Sequence, residues 1–240
     1  MNTNKNSYTI IYASVLVIIV AFLLAFVSSA LKPTQDKNVA LDKKKQILAA
    51  LNIRGLSDAE AVEAKYNEVV MADMIVKADG SVVKEGKEKE KDGFEVDNKD
   101  IAPDNLPVYL CKVGGETKYV VPMTGRGLWG ALWGYIAVNA DLRTVYGAYF
   151  SHESETAGLG ALIADEKFQD QFQRKHIFAD ASSDKVALTV VKHGKVEPEK
   201  AAYEVDGVTG STLTSQGVAN MVNGGLQQYV GFFKSLSHQK

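Results

Sequence analysis

The stretch PVYLCKVGGETKYVVPM, residues 107–123, decides the fold. Two runs rich in valine and tyrosine flank Gly114-Gly115, which is the composition of a tight hairpin turn between antiparallel strands. A second strand pair follows directly: LWGYIAV (132–138), a turn at 139–141, then TVYGAYFS (144–151). Beyond it, residues 160–175 read as helical, and KVALTVVKH (185–193) and AAYEVDGV (201–208) read as further strands. The chain closes with a helix from Ser215 to Leu236, whose Val218, Met221, Val222, Leu226, Tyr229, Val230, Phe233 and Leu236 form a broad apolar face. Strands joined as hairpins and flanked by a few helices give an α+β fold with an antiparallel sheet, not a doubly wound one. Cys111 alternates with Tyr109 and Val113 in the first hairpin and is expected to pack in the core.

Toward the amino terminus, residues 84–100 (KEGKEKEKDGFEVDNKD) are charge-dense and read as a solvated loop. Ser57 to Glu60 form a capping box that opens a short helix running toward Glu68. Residues 36–52 place Val39, Leu41, Ile47, Leu48 and Leu51 at helical spacing, with Gly55 as the breaker. No charge occurs from Asn6 to Leu31, and Tyr8–Val27 reads YTIIYASVLVIIVAFLLAFV. About 20 apolar residues at ~1.5 Å rise span the ~30 Å hydrocarbon core of a bilayer. Tyr8 and Tyr12 sit where an interfacial aromatic belt places them, and Lys32-Pro33 ends the segment. A cleaved signal peptide, with Lys5 as its basic region and Ser28-Ser29-Ala30 as its cleavage site, is the alternative. The apolar run exceeds the ~7–15 residues of such a segment, so a retained anchor is the reading adopted. The expected organisation is a tail (1–7), a transmembrane helix (8–31), membrane-proximal helices with the charged loop (32–104) and a C-terminal domain (105–240). Lys5 weighed against Lys32, Lys37 and Lys43–Lys45 mildly favours a cytoplasmic domain, but long domains translocate largely regardless of charge.

Composition narrows the function classes. Lys and Arg total 27 against 29 Asp and Glu, a net charge of −2, so there is no basic excess to attract nucleic acid. One cysteine rules out an internal disulfide and any multi-cysteine metal site. His152, His176, His193 and His238 are scattered without metal-ligand spacing. No metal ligands and no catalytic residues are assigned.

The segment Asp206-Gly-Val-Thr-Gly-Ser-Thr-Leu-Thr-Ser215 carries the chemistry. It leaves a strand and enters the last helix with hydroxyls at Thr209, Ser211, Thr212, Thr214 and Ser215. A helix N-terminus favours an anion, and one hydroxyl suffices for capping, so five suit a phosphate ligand equally well. No Gly-Lys-[Ser/Thr] is present, so this is not a Walker loop.

Asp206, Thr209, Gly210, Ser211, Thr212 and Thr214 fall on the pattern Asp-x-x-[Ser/Thr]-Gly-[Ala/Ser]-Thr-x-[Ser/Thr], which resembles the flavinylation motif of the FMN-binding domain family. Ser211 replaces the more usual alanine and adds a neighbouring hydroxyl. Two further segments resemble that family. Ser151–Gly160, aligned on Glu155-Thr156 with Gly158-Leu159-Gly160, is similar to its His-x-Glu-Thr-Pro-Gly-Leu-Gly, with Ala157 for proline. Gly125–Gly130 is similar to its Gly-x-Gly-Leu-Trp-Gly. With the anchor, the resemblance is narrowest to the C subunits of the Na⁺-translocating NADH:quinone reductases. The G subunits of Rnf-type ferredoxin:NAD complexes share the anchor and motif.

The resemblance implies FMN held by a phosphodiester on Thr212 and attached by a separate flavin transferase. Threonine alone is a weak nucleophile, which agrees with an external catalyst. Leu128, Trp129 and Leu159 are expected to form the apolar wall, and Glu155 and Thr156 the polar contacts. Gly158, Asp206, Thr209, Gly210, Ser211, Leu213 and Thr214 are expected around the cofactor. For Trp129, core burial and ring stacking both remain open, and His152 is read as structural or surface. The implied role is electron relay from NADH toward quinone, coupled to Na⁺ export, beside the other subunits of the complex and not as an independent catalyst. The implied place is a bacterial inner membrane, with one helix in lipid and the flavin domain in the periplasm. A membrane-anchored binding or assembly module without flavin is the alternative of another class.

Overall fold

The computed structural model describes residues 6–180 and 182–237; Lys5 and His238 lie outside them. The chain divides into two units, one ending at Lys43 and one beginning at Lys44. The helix α1 (Asn6–Ala50) contributes to both.

In the first unit, every large apolar side chain from Ile10 to Leu31 is exposed. Such a helix, apolar on all sides with nothing covering it, is the kind a bilayer solvates. Pro33 lies inside α1 and does not end it, contrary to the expected stop. A proline within a helix loses one hydrogen bond and crowds the preceding turn. The strong helix formers from Ala40 to Ala50 carry the helix onward. The separate helix expected over 36–52 is therefore the last part of α1.

In the second unit, six strands form one antiparallel sheet in the order β2-β1-β3-β4-β5-β6. They are β1 (Val70–Val76), β2 (Val82–Lys84), β3 (Leu106–Val113), β4 (Glu116–Arg126), β5 (Ala131–Asn139) and β6 (Val145–His152). The expected hairpins are β3–β4, with Gly114 and Gly115 at φ +59° and +85°, and β5–β6. Helix α2 (Ala59–Val69) precedes the sheet. Residues 160–172 break into short 3-10 turns around a one-turn helix, α3 (Glu166–Gln169), instead of one helix. The late strands shorten to β7 (Thr189–Val191) and β8 (Glu204–Asp206), which pair in parallel. Cys111 is buried, as its alternation predicted.

The helix α4 (Thr212–Ser237) buries its apolar face on β4. The approach is close because glycines line the contact. A Cβ on Gly225 would lie 2.7 Å from Met123 Cβ, one on Gly125 2.7 Å from Met221 Cβ, and one on Gly217 2.5 Å from the Arg126 carbonyl oxygen. Helical glycine costs up to ~1 kcal/mol relative to alanine. Here it admits the backbone to the sheet.

Nothing in the residue pattern signals β1. Helix α2 runs straight into it, and Asp73 interrupts its apolar run. The cap of α2 is Asp58, accepting from the Ala61 amide at 3.2 Å, so the helix starts one residue later than the capping box implied. Asp73 is fully buried and accepts from the amides of Asp92 (3.1 Å) and Phe94 (2.9 Å). The expected solvated loop therefore doubles back over β1. Gly86 and Gly93 lie so close to the Asp73 and Met74 backbone that neither has room for a Cβ. At the end of α1, the buried Lys44 joins Glu63 (2.5 Å) to Glu90 (2.8 Å) over the rings of Tyr66 and Phe94. That arrangement fixes the loop from its other side.

Candidate functional site

Three loops meet at one end of α4. The first is the tip of the β4–β5 hairpin. Pairing ends at Arg126↔Ala131, and the Gly127 amide donates to the Gly130 carbonyl across 2.9 Å. Leu128 and Trp129 therefore project from a four-residue turn, 48% and 65% exposed. The question of Trp129 is decided against core burial, because it occupies a hairpin tip and not the start of a strand.

The second loop follows β6. The amides of Leu159 and Ala161 both donate to the Thr156 carbonyl at 3.1 Å, and Leu159 is left 43% exposed. Glu155 points the other way and is 7% exposed. Its Oε1 accepts from the Trp129 amide at 2.9 Å and its Oε2 from the Thr214 hydroxyl at 2.6 Å. Its own amide donates to His152 Nδ1 at 3.2 Å, which makes that histidine a local brace. Burial pushes the Glu155 pKa up, but hydrogen bonds from Thr214, Trp129 and Leu128, with His152 nearby, outweigh this and hold it below the ordinary carboxylate value. Glycines enclose the carboxylate. A Cβ on Gly127 would sit 2.3 Å from Oε1, and one on Gly160 2.5 Å from Oε2.

The third loop is the entry to α4. Gly210 turns the chain at φ +72°, a conformation side chains disfavour. Of the five hydroxyls, three are engaged internally. Ser211 donates to Thr214 Oγ1 (3.2 Å), Thr214 donates to Glu155, and Ser215 Oγ accepts from the Val208 amide (2.9 Å). Thr209 and Thr212 are exposed, and only Thr212 belongs to the first turn of α4.

A cavity of about 230 Å³ opens between the three loops. Of the residues expected there, Leu128, Glu155, Thr156, Leu159, Gly210, Ser211, Thr212, Leu213 and Thr214 line it. Trp129 stands beside Leu128 at the hairpin tip. Gly158, Thr209 and Asp206 are not among the lining residues. Asp206 instead accepts from the Gly194 amide at 2.7 Å and faces His193 Nδ1 at 2.8 Å, bracing the 192–195 loop. Gly160 lines the cavity and was not singled out. Its signal was its place closing Gly158-Leu159-Gly160. Glu155, expected as a ligand contact, is an internal tie whose oxygens are already engaged.

The set fits a flavin nucleotide in kind. An exposed hydroxyl lies at the positive end of a helix, where a phosphate is favoured. Around it Leu128, Leu159 and Leu213 are 43–63% exposed, an apolar surface for a ring.

The FMN-binding domain family matches residues 127–227, a span that begins in the hairpin tip and ends in α4. The C subunit of the Na⁺-translocating NADH-quinone reductase from Haemophilus ducreyi is 33% identical over 235 residues, which cover 91% of this chain and 89% of that one. The chain belongs to this C-subunit family. The C subunit from Pseudomonas aeruginosa is 31% identical, with 92% of each chain covered. The crystal structure of the C subunit from Parabacteroides distasonis superimposes with a TM-score of 0.76 at 38% identity, covering 85% of this chain and 96% of that one. Among the features that this C-subunit family member carries, the cavity and its three loops all fall within or beside the span matched by the FMN-binding domain.

Proposed function

We propose that the chain is the FMN-carrying electron-transfer subunit of a membrane-bound Na⁺-translocating NADH:quinone reductase, with the flavin joined to Thr212 by a phosphodiester. The observation that carries this reading is the exposed Thr212 hydroxyl on the first turn of α4, beside exposed Leu128, Leu159 and Leu213, in a chain of this family. When bound, FMN supplies reversible electron transfer, and the protein holds and tunes it. Thr212 fixes the phosphate, which the dipole of α4 favours. The leucines and Trp129 shield the ring from water, and Thr156 and Gly210 offer polar backbone and hydroxyl groups at the rim. Glu155 holds the loops together, its two oxygens accepting from the Trp129 amide and the Thr214 hydroxyl.

In this reading the chain relays electrons from NADH toward quinone beside the other subunits and is not catalytic alone. A separate flavin transferase loads it, and α1 holds it in the inner membrane as a single span with the flavin domain in the periplasm. The relatives named above favour this complex over the Rnf type, and the FMN-binding match disfavours a flavin-free module.

The test is to co-express the chain with a flavin transferase, denature it, and look for flavin fluorescence on the gel band. Fluorescence is expected in the wild type and lost in Thr212→Ala. A dark wild-type band sinks the redox reading. For orientation, Lys87→Cys on an exposed loop is expected to react with an impermeant maleimide added outside spheroplasts, and protection there places the domain in the cytoplasm.

A further inference from the structure

Two hydroxyls stand side by side at Ser211 and Thr212, and the structure treats them differently. The Glu155 carboxylate is ionised and can only accept hydrogen bonds. Thr214 must therefore donate its single proton to Glu155, as its 2.6 Å contact shows. Its oxygen is then left to accept, and Ser211 donates its own proton to it across 3.2 Å. The relay runs one way, Ser211 to Thr214 to Glu155, and ends on a carboxylate also bonded to the Trp129 amide. Ser211 is 8% exposed, while Thr212 is exposed.

We propose that Glu155 is a positioning residue for flavin attachment: acting through Thr214, it engages the Ser211 hydroxyl and leaves Thr212 as the one acceptor on this turn. This rests on the covalent FMN reading above. Attachment exchanges the Thr212 O–H bond for an O–P bond to the FMN phosphorus. A diester does not form from an unactivated phosphate, so the donor is a flavin dinucleotide. Its P–O–P bridge breaks, the nucleoside monophosphate leaves with the bridging oxygen, and the threonine proton passes to solvent. Nothing is oxidised or reduced.

The direction of the relay supplies the test. In Glu155→Gln, the amide oxygen keeps the Trp129 amide and the amide nitrogen donates to Thr214. Thr214 then donates to Ser211, and the Ser211 proton is released from the relay. Thr214→Val cuts the relay at its middle and leaves the Glu155 backbone bonds intact. The full-length chain and both variants are loaded by a flavin transferase with flavin adenine dinucleotide, checked for a cooperative melt, digested, and mapped by mass spectrometry. Wild type is expected to carry flavin on Thr212 alone. In a folded variant, about a tenth or more of the flavin is expected on Ser211 and none on Ser215, whose bond to the Val208 amide lies outside the relay; mere loosening of the fold frees Ser215 as well. Flavin confined to Thr212 in both variants, at any yield, overturns the proposal, as does flavin on Ser211 in the wild type. A wild type that takes no flavin fails the underlying reading instead.

Discussion

Gly225 of α4 and Met123 of β4 meet with no room for another carbon: a Cβ on the glycine would lie 2.7 Å from the methionine Cβ. The neighbouring Gly224 is exposed, and a Cβ there would meet nothing within 4 Å. The two glycines therefore respond oppositely to the same change. Gly224→Ala is expected to stabilise the chain by about 0.5–1 kcal/mol, the helix-propensity gain. Gly225→Ala is expected to destabilise it by about 1–3 kcal/mol, because a Cβ atom cannot rotate away. Chemical denaturation of both variants checks this, and equal signs refute it.

Residues at the end of α1 and directly after it serve the second unit as core. Ile47, Leu48 and Leu51 are essentially fully buried. A chain beginning at residue 36 is expected to leave the membrane fraction and keep a cooperative melt. A chain beginning at residue 53 loses three side chains worth about 1.5–3 kcal/mol each, comparable to the whole stability of a domain. It is expected to show no cooperative transition, and a normal melt from it contradicts this division of α1.

Asp73 and Glu155 carry opposite pH signatures. Burial lifts the Asp73 pKa above its ordinary 3.8, against the lowering effect of the Phe94 and Asp92 amides. Folding therefore favours its protonated form, and its charge is a penalty at neutral pH that fades as pH falls through the folded value. Asp73→Asn is expected to raise Tm more at pH 7 than at pH 4, and an equal shift at both rejects the assignment. Glu155 is held below its ordinary 4.5, so its contribution is present above that value and is lost as pH falls through the lower folded pKa.

Trp129 is expected to matter to the flavin and not to the fold. At 65% exposure, Trp129→Ser is expected to change stability by no more than about 0.5 kcal/mol. In loaded protein, iodide quenching of the flavin is expected to rise about twofold as the apolar cover is lost. Unchanged quenching removes Trp129 from the cofactor's surroundings.

The hairpins were legible in the sequence because Gly114-Gly115 and the residues at 139–141 punctuate alternating strands. The same alternation buried Cys111. Strand β1 was hidden, since Asp73 breaks its apolar run and its compensation comes from amides about twenty residues later. The parallel β7–β8 pair was hidden by length, with three residues in each strand. At the site, the three motifs located the cavity, but their residue types did not reveal roles. Asp206 looked like a ligand and braces a loop, and Glu155 looked like a flavin contact and ties two loops. Those roles depend on which group lies opposite, which only the folded chain determines.

The carboxylate at Glu155 meets Thr214 only after β6 and α4 have come together, a contact spanning 59 positions of chain. An unfolded copy displays the five hydroxyls between Thr209 and Ser215 on equal terms. Folding withdraws three of them. In the covalent reading, the tertiary structure thus edits its own reactive surface, and the absence of flavin from those three hydroxyls is a chemical record that the chain had folded before it was modified.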